Sequence, residues 1–157
     1  MELFPPTIIL RHRRENLKKC SLRGLESRSD LHFYTYPKQV LPPLDGYLLL
    51  SFDGPLLQRE DASLGLFLID GTWRHSEVMF KQLSTPHTFQ TRSLPKELQT
   101  AYPRKQEDCS DPKRGLATVE ALYAAYKILG RNTEGLLEYY HWNVPFLEIN
   151  QALFKSM

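Results

Sequence analysis

Cysteine is nearly absent from this 157-residue sequence, with Cys20 and Cys109 the only two. Two thiols close one disulfide at most and cannot alone supply four zinc ligands, so a disulfide scaffold and a cysteine zinc finger are excluded. The histidines, His12, His32, His75, His87 and His141, are scattered without ligand spacing, and no metal is expected. No apolar run approaches the roughly 20 residues that span a bilayer, so no membrane partner is expected. The chain does not open on a basic stretch followed by an apolar one; a secretory signal is not expected, and the expected compartment is the reducing cytoplasm. Gly-rich phosphate loops, nucleophile elbows and paired-carboxylate patterns are missing as well. No repeat, low-complexity tract or linker divides the chain, and at roughly 100–200 residues per domain residues 1–157 read as a single domain.

What is present is ordinary for a globular protein: 41% hydrophobic and 24% charged residues exclude a disordered chain. Four apolar or aromatic runs read as strands: Thr7 to Leu10, Leu31 to Tyr36, Tyr47 to Phe52, and Leu64 to Ile69. Their continuous rather than alternating hydrophobicity predicts coverage on both faces, as in a parallel sheet. Helical spacing follows from Trp73 to Leu83, with Thr72 as a candidate cap. The strongest helix signal runs from Thr118 to Leu129, with Thr118 as N-cap, Glu120 in the first turn and Gly130 just past the end. Shorter helices are expected over Thr133 to Tyr140 and Pro145 to Lys155. The fold class is therefore α/β, a parallel sheet flanked by helices with a helical C-terminal end.

The net charge of +2 says little, but its placement says more. Between positions 11 and 28, Arg11, Arg13, Arg14, Lys18, Lys19, Arg23 and Arg28 face only Glu15 and Glu26. A second basic group, Arg104, Lys105, Lys113 and Arg114, is diluted by Glu107, Asp108 and Asp111. Such density attracts a phosphate backbone through counterion release. A solvated basic face with no nucleic-acid partner explains it equally well.

Two local patterns bear on chemistry. The run Phe67-Leu68-Ile69-Asp70 leads into Gly71-Thr72-Trp73, which puts an acid, a glycine and an indole at a strand's carboxyl end, where open α/β sheets bind ligands. A plain turn with a core tryptophan also accounts for it. Leu116 to Ala121 reads as a loop entering a helix, with Glu120 structural.

In order along the chain these pieces resemble the small-subunit ribosomal RNA aminocarboxypropyltransferases and the related DTW-domain transferases of tRNA uridines. The matching stretches are Lys18-Lys19-Cys20-Ser21, Leu50-Ser51-Phe52, Asp70-Gly71-Thr72-Trp73, Arg92-Ser93-Leu94-Pro95 and Leu116 to Ala121. Last come Tyr140-His141-Trp142-Asn143 and Phe146 to Asn150. The segment Tyr102-Pro103-Arg104-Lys105-Gln106 is closer to the DTW proteins, and a proline usual after Leu50-Ser51 is replaced by Phe52.

The resemblance implies a knotted, SPOUT-like sheet that binds S-adenosylmethionine. The implied reaction transfers its 3-amino-3-carboxypropyl group to N3 of a uridine or pseudouridine in RNA, ribosomal RNA first. Alternatives are the same transfer to a tRNA uridine, an S-adenosylmethionine-dependent RNA methyltransferase, and a non-catalytic ribosome assembly factor. By resemblance, Leu50, Phe52, Leu94, Leu116, Ala117 and Thr118 wall the adenine, and the Ile69 backbone meets the ribose. Trp73 covers the sulfonium methyl, Asp70 takes the amino group of the transferred chain, and Ser21 takes its carboxylate. Asp70 and Trp73 are the expected catalytic pair. Arg11, Arg13, Arg14, Lys18, Lys19, Arg104 and Lys105 are the expected RNA contacts.

Overall fold

Among the described residues, five strands form one sheet: β1 (Thr7–His12), β2 (Leu31–Tyr36), β3 (Tyr47–Leu50), β4 (Gly65–Asp70) and β5 (Gln90–Arg92). The computed structural model describes residues 4–14, 20–51, 54–70, 73–84, 90–103 and 115–157. The strand order is β2-β1-β4-β3-β5, and every pairing is parallel. The expected parallel α/β sheet is therefore present. Of its three inner strands, β1 and β4 carry the most continuous burial, while β2 and β5 lie at the edges.

Alternation along each strand decides which face a residue serves. Ile9, Leu48, Leu66 and Leu68 point into one core together with Val119, Leu122, Ala125, Tyr126 and Leu129 of helix α2 (Thr118–Leu129). Ile8, Leu10, Leu49 and Phe67 point the other way and enclose Met79 of helix α1 (Trp73–Ser84). Helices α3 (Asn143–Ile149) and α4 (Gln151–Lys155) add Phe146 and Phe154 to the α2 face. No described helix is long and apolar enough to cross a membrane.

Several boundaries differ from expectation for identifiable reasons. β1 runs two residues further, to His12, and β4 takes in Asp70, so the acid expected at the strand's carboxyl end is its last residue. β3 ends at Leu50 instead of Phe52, which lies outside the described residues. The helix expected over Thr133 to Tyr140 is a succession of turns. Leu136, Glu138 and Tyr140 donate to carbonyls three residues back, and Gly135 sits at φ +80°, which a helix cannot use. The expected C-terminal helix is two helices meeting at Asn150, whose amide grips both backbone groups of Gln99 at 2.9 Å. Gly130 closes α2 as expected, at φ +73°.

Candidate active site

Arg11 and Asp70 are direct register partners at the carboxyl ends of β1 and β4. Partners on adjacent strands share a face, and alternation puts both side chains on the α2 side, above Ile9 and Leu68. Arg11 Nε donates to Asp70 Oδ2 at 3.2 Å. Both groups are almost wholly withdrawn from water, Arg11 at 8% exposure and Asp70 at 3%. Arg11 also donates from Nη1 to Glu26 at 3.3 Å, and its guanidinium lies over the Phe33 ring, 4.7 Å from the centroid. Burial opposes the charge on Arg11, but the facing Cys20, Asp70 and Glu26 outweigh it and raise its pKa.

Two further elements close over this pair. The Cys20 thiol donates to Asp70 Oδ2 at 3.1 Å and accepts from the backbone N–H of Leu22. Burial, reinforced by the charge of Asp70, pushes the Cys20 thiol up to about 12, so it is a hydrogen-bond donor and not a nucleophile. From the other side the Thr118 hydroxyl donates to Asp70 Oδ1 at 2.8 Å. Thr118 is thus the first residue of α2 and not its cap, because its hydroxyl is spent on the strand. Ala117 takes the N-cap position. The missing cap acceptor comes from Ser21, whose Oγ accepts the Val119 N–H at 3.2 Å. The Cys20-Ser21 pair therefore stitches β4 to the start of α2.

Behind this layer Glu120 is fully buried and satisfied by four donors. Oε1 accepts from Thr100 Oγ1 at 2.6 Å and Ala117 N at 2.8 Å; Oε2 accepts from Ala101 N at 2.8 Å and the Tyr140 hydroxyl at 2.9 Å. It ties the loop after β5 and the stretch before α3 to the α2 N-terminus. Its role is structural, as its first-turn position predicts.

The apolar candidates lie further along the same carboxyl edge. Leu50 ends β3, in register with Arg92 of β5, and Leu94 follows two residues on. Leu50, Leu94 and Leu116 are half-buried and pack on the α2-side core. Ile69 turns its side chain to the opposite core, leaving its backbone at the strand end. Read along β1, β4, β3 and β5, the edge passes from a buried charged pair to a leucine wall. Trp73 opens α1, but its side chain lies outside what is described, as do residues Phe52, Lys18, Lys19, Arg104 and Lys105.

One expected RNA contact is corrected. Arg11 is inside, with its guanidinium on Asp70, Glu26 and Cys20, so it presents no surface charge to a phosphate. Arg13 and Arg14, just past β1, are exposed. The residues that composition did not single out are Glu26, Phe33 and Asn150. Glu26 stood out only as one of two acids in the basic run, Asn150 only as the end of the last matching stretch, and Phe33 had no signal beyond its strand. Among the described residues no three metal-binding side chains converge.

The family model of the DTW domain matches residues 4–148. No curated protein sequence matches the chain. Among solved structures, the SAM-dependent rRNA:acp-transferase Tsr3 from Vulcanisaeta distributa is similar at 24% identity, over 98% of this chain and 82% of that one, with a TM-score of 0.72. At that identity the likeness is one of fold.

Proposed function

The chain belongs to the DTW-domain family, and from that premise we propose that it transfers the 3-amino-3-carboxypropyl group of S-adenosylmethionine to N3 of a uridine or pseudouridine in RNA, with ribosomal RNA the preferred acceptor. The observation that carries this reading is the graded carboxyl edge of the sheet. A buried pair of opposite charges, Arg11 and Asp70, stands at one end and the half-buried Leu50, Leu94 and Leu116 at the other. That row fits a donor with a zwitterionic tail at one end and a purine at the other. The solved fold relative, itself described as SAM-dependent and acting on rRNA, supports it further.

When bound, the donor supplies a sulfonium whose three attached carbons are all electrophilic, so the product depends on which carbon the protein turns toward N3. Asp70 anchors the amino group of the chain to be transferred. Its two oxygens already accept from Arg11, Cys20 and Thr118, which favours a holding role over proton abstraction. The Ser21 hydroxyl, its oxygen fixed by Val119 N–H, retains a proton to donate to the carboxylate. The resemblance assigns Leu50, Phe52, Leu94 and the backbone of Leu116, Ala117 and Thr118 to the adenine, and the Ile69 backbone to the ribose. The resemblance assigns Trp73 to the methyl group, where an indole face favours the positive charge. In balance, the N3–carbon bond forms, the sulfur–carbon bond breaks, methylthioadenosine leaves and the N3 proton is lost. Alignment and contact distance supply several kcal/mol of such a barrier. Arg13 and Arg14 steer RNA phosphates to the site.

The deciding experiment is mass spectrometry of ribosomal and transfer RNA incubated with the protein and S-adenosylmethionine. A gain of the aminocarboxypropyl mass with release of methylthioadenosine is expected. A methyl gain with S-adenosylhomocysteine, or no product at high enzyme concentration, overturns the reading.

A further inference from the structure

We infer that Arg11 is the receptor for the α-carboxylate of the donor's tail, and that Glu26 occupies this receptor in the free protein. The inference rests on the donor reading above. Three relationships lead to it.

The first is register. Arg11 and Asp70 stand side by side on neighbouring strands, a cation and an anion on the same face at the same edge. An amino acid carries its ammonium and carboxylate on one carbon. A tail whose ammonium meets Asp70 therefore brings its carboxylate to the flank of Asp70, where Arg11 is the adjacent cation.

The second is the division of the guanidinium. Nε is spent on Asp70, which is nearly inaccessible, whereas Nη1 is spent on Glu26, whose side chain is 43% exposed. The Glu26 contact is therefore the solvent-side edge of Arg11, and a carboxylate already sits there. Among the described residues, Glu26 Oε1 accepts from the exposed Gly24 N–H, a bond that water replaces. Exchange of one carboxylate for another leaves no buried charge unpaired and returns Glu26 to water.

The third is charge. Asp70 and Glu26 together outweigh Arg11, so the closed cluster is net negative, while the donor, with its sulfonium and ammonium against one carboxylate, is net positive. Ser21 alone offers the carboxylate a neutral hydroxyl. A planar, charged donor makes the stronger and more directional bond.

The test is calorimetric titration of the full chain with three ligands: S-adenosylmethionine, its decarboxylated analogue, and methylthioadenosine, which lacks the tail. The wild type is expected to favour S-adenosylmethionine over the decarboxylated analogue. Arg11→Gln is expected to erase that preference, weakening S-adenosylmethionine by about tenfold or more while leaving methylthioadenosine within about twofold. Glu26→Gln, which replaces the competing carboxylate with a neutral, weaker acceptor without touching the buried pair, is expected to tighten S-adenosylmethionine severalfold and leave the other two unchanged. Retained preference in Arg11→Gln, or equal loss of all three ligands, overturns the assignment. If Arg11→Gln does not fold, Glu26→Gln decides alone, and unchanged affinity for S-adenosylmethionine overturns it. A wild type that binds none of the three overturns the donor reading itself, a result distinct from binding without the predicted preference.

Discussion

The Thr118 hydroxyl reaches across from the first turn of α2 to Asp70 Oδ1 at 2.8 Å, coupling residues 48 positions apart at the centre of the candidate site. The bond converts a helix start into a brace for the strand-end carboxylate. Thr118→Val keeps the shape and removes the donor, so it is expected to cost about 1 kcal/mol of stability. Asp70→Asn breaks the buried ion pair and leaves Arg11 with Glu26 alone, at a cost of about 3–5 kcal/mol. The same variant is expected to lower affinity for S-adenosylmethionine by about tenfold or more. Urea unfolding and calorimetry on both variants check the pair of effects. Equal, small losses in both would show that Asp70 is not the hub.

Glu120 governs a different property, the placement of the chain around α2. Its two oxygens accept from four donors, and glutamine offers one oxygen and an NH2. In Glu120→Gln the amide nitrogen meets the Ala101 N–H or the Ala117 N–H, donor against donor. The expected destabilisation is about 2–4 kcal/mol. Hydrogen exchange is expected to rise at Ala101 and Tyr102 before it rises in the strands. A shift in the urea midpoint with unchanged exchange in that loop would contradict the assignment.

Alkaline pH should weaken the fold through Cys20. Burial raises its pKa from 9.0 to about 12, so the folded state keeps the proton over a range in which the unfolded chain releases it. The unfolded state binds fewer protons there, and stability falls as pH rises from 9 toward 12. Tyr126, raised by burial from 10.0 to about 12, adds to the decline in the same direction. The urea midpoint is therefore expected to drop between neutral pH and pH values above 9, and less steeply in Cys20→Ser. The Cys20 thiol should also resist alkylation in the folded protein and react once urea unfolds it. An equally steep decline in Cys20→Ser would remove Cys20 as the cause.

The sheet was largely legible in the sequence because its inner strands are apolar on both faces, and such runs need no partner to be recognised. α2 was legible for a similar reason, with good helix formers between an acidic first turn and Gly130. The edge strand β5 was not: three residues, Gln90–Arg92, half exposed and polar, carry no period of their own and owe their shape to β3. The turns around Gly135 imitate a helix in their spacing of Leu136, Leu137 and Tyr140, all buried, while the backbone at Gly135 forbids one. At the site, Asp70 was legible as an acid at a strand end. Arg11 was not, because a basic residue in a basic run looks like surface until register sets it against a carboxylate 59 positions away. The Cys20-Ser21 motif pointed to the site; that Ser21 caps a helix 98 positions downstream is a fact of tertiary structure.

With Arg11 buried, Arg13 and Arg14 are the members of the proposed RNA surface that the described residues show exposed, just beyond the end of β1. Phosphate contacts reveal themselves by salt: each one adds about 0.7 to the slope of log affinity against log salt for a single-stranded RNA. Arg13→Ala with Arg14→Ala is therefore expected to weaken RNA binding and flatten that slope by about 1.4. Affinity for S-adenosylmethionine and thermal stability are expected to stay unchanged, since neither side chain belongs to the core. Filter binding across a salt series, with melting curves of the same preparations, reads all three quantities. A slope equal to that of the wild type would place the RNA on another face of the protein and leave the donor pocket as argued. A loss of donor affinity in the same variant would instead mean that the arginines shape the pocket, and the steering role would fall.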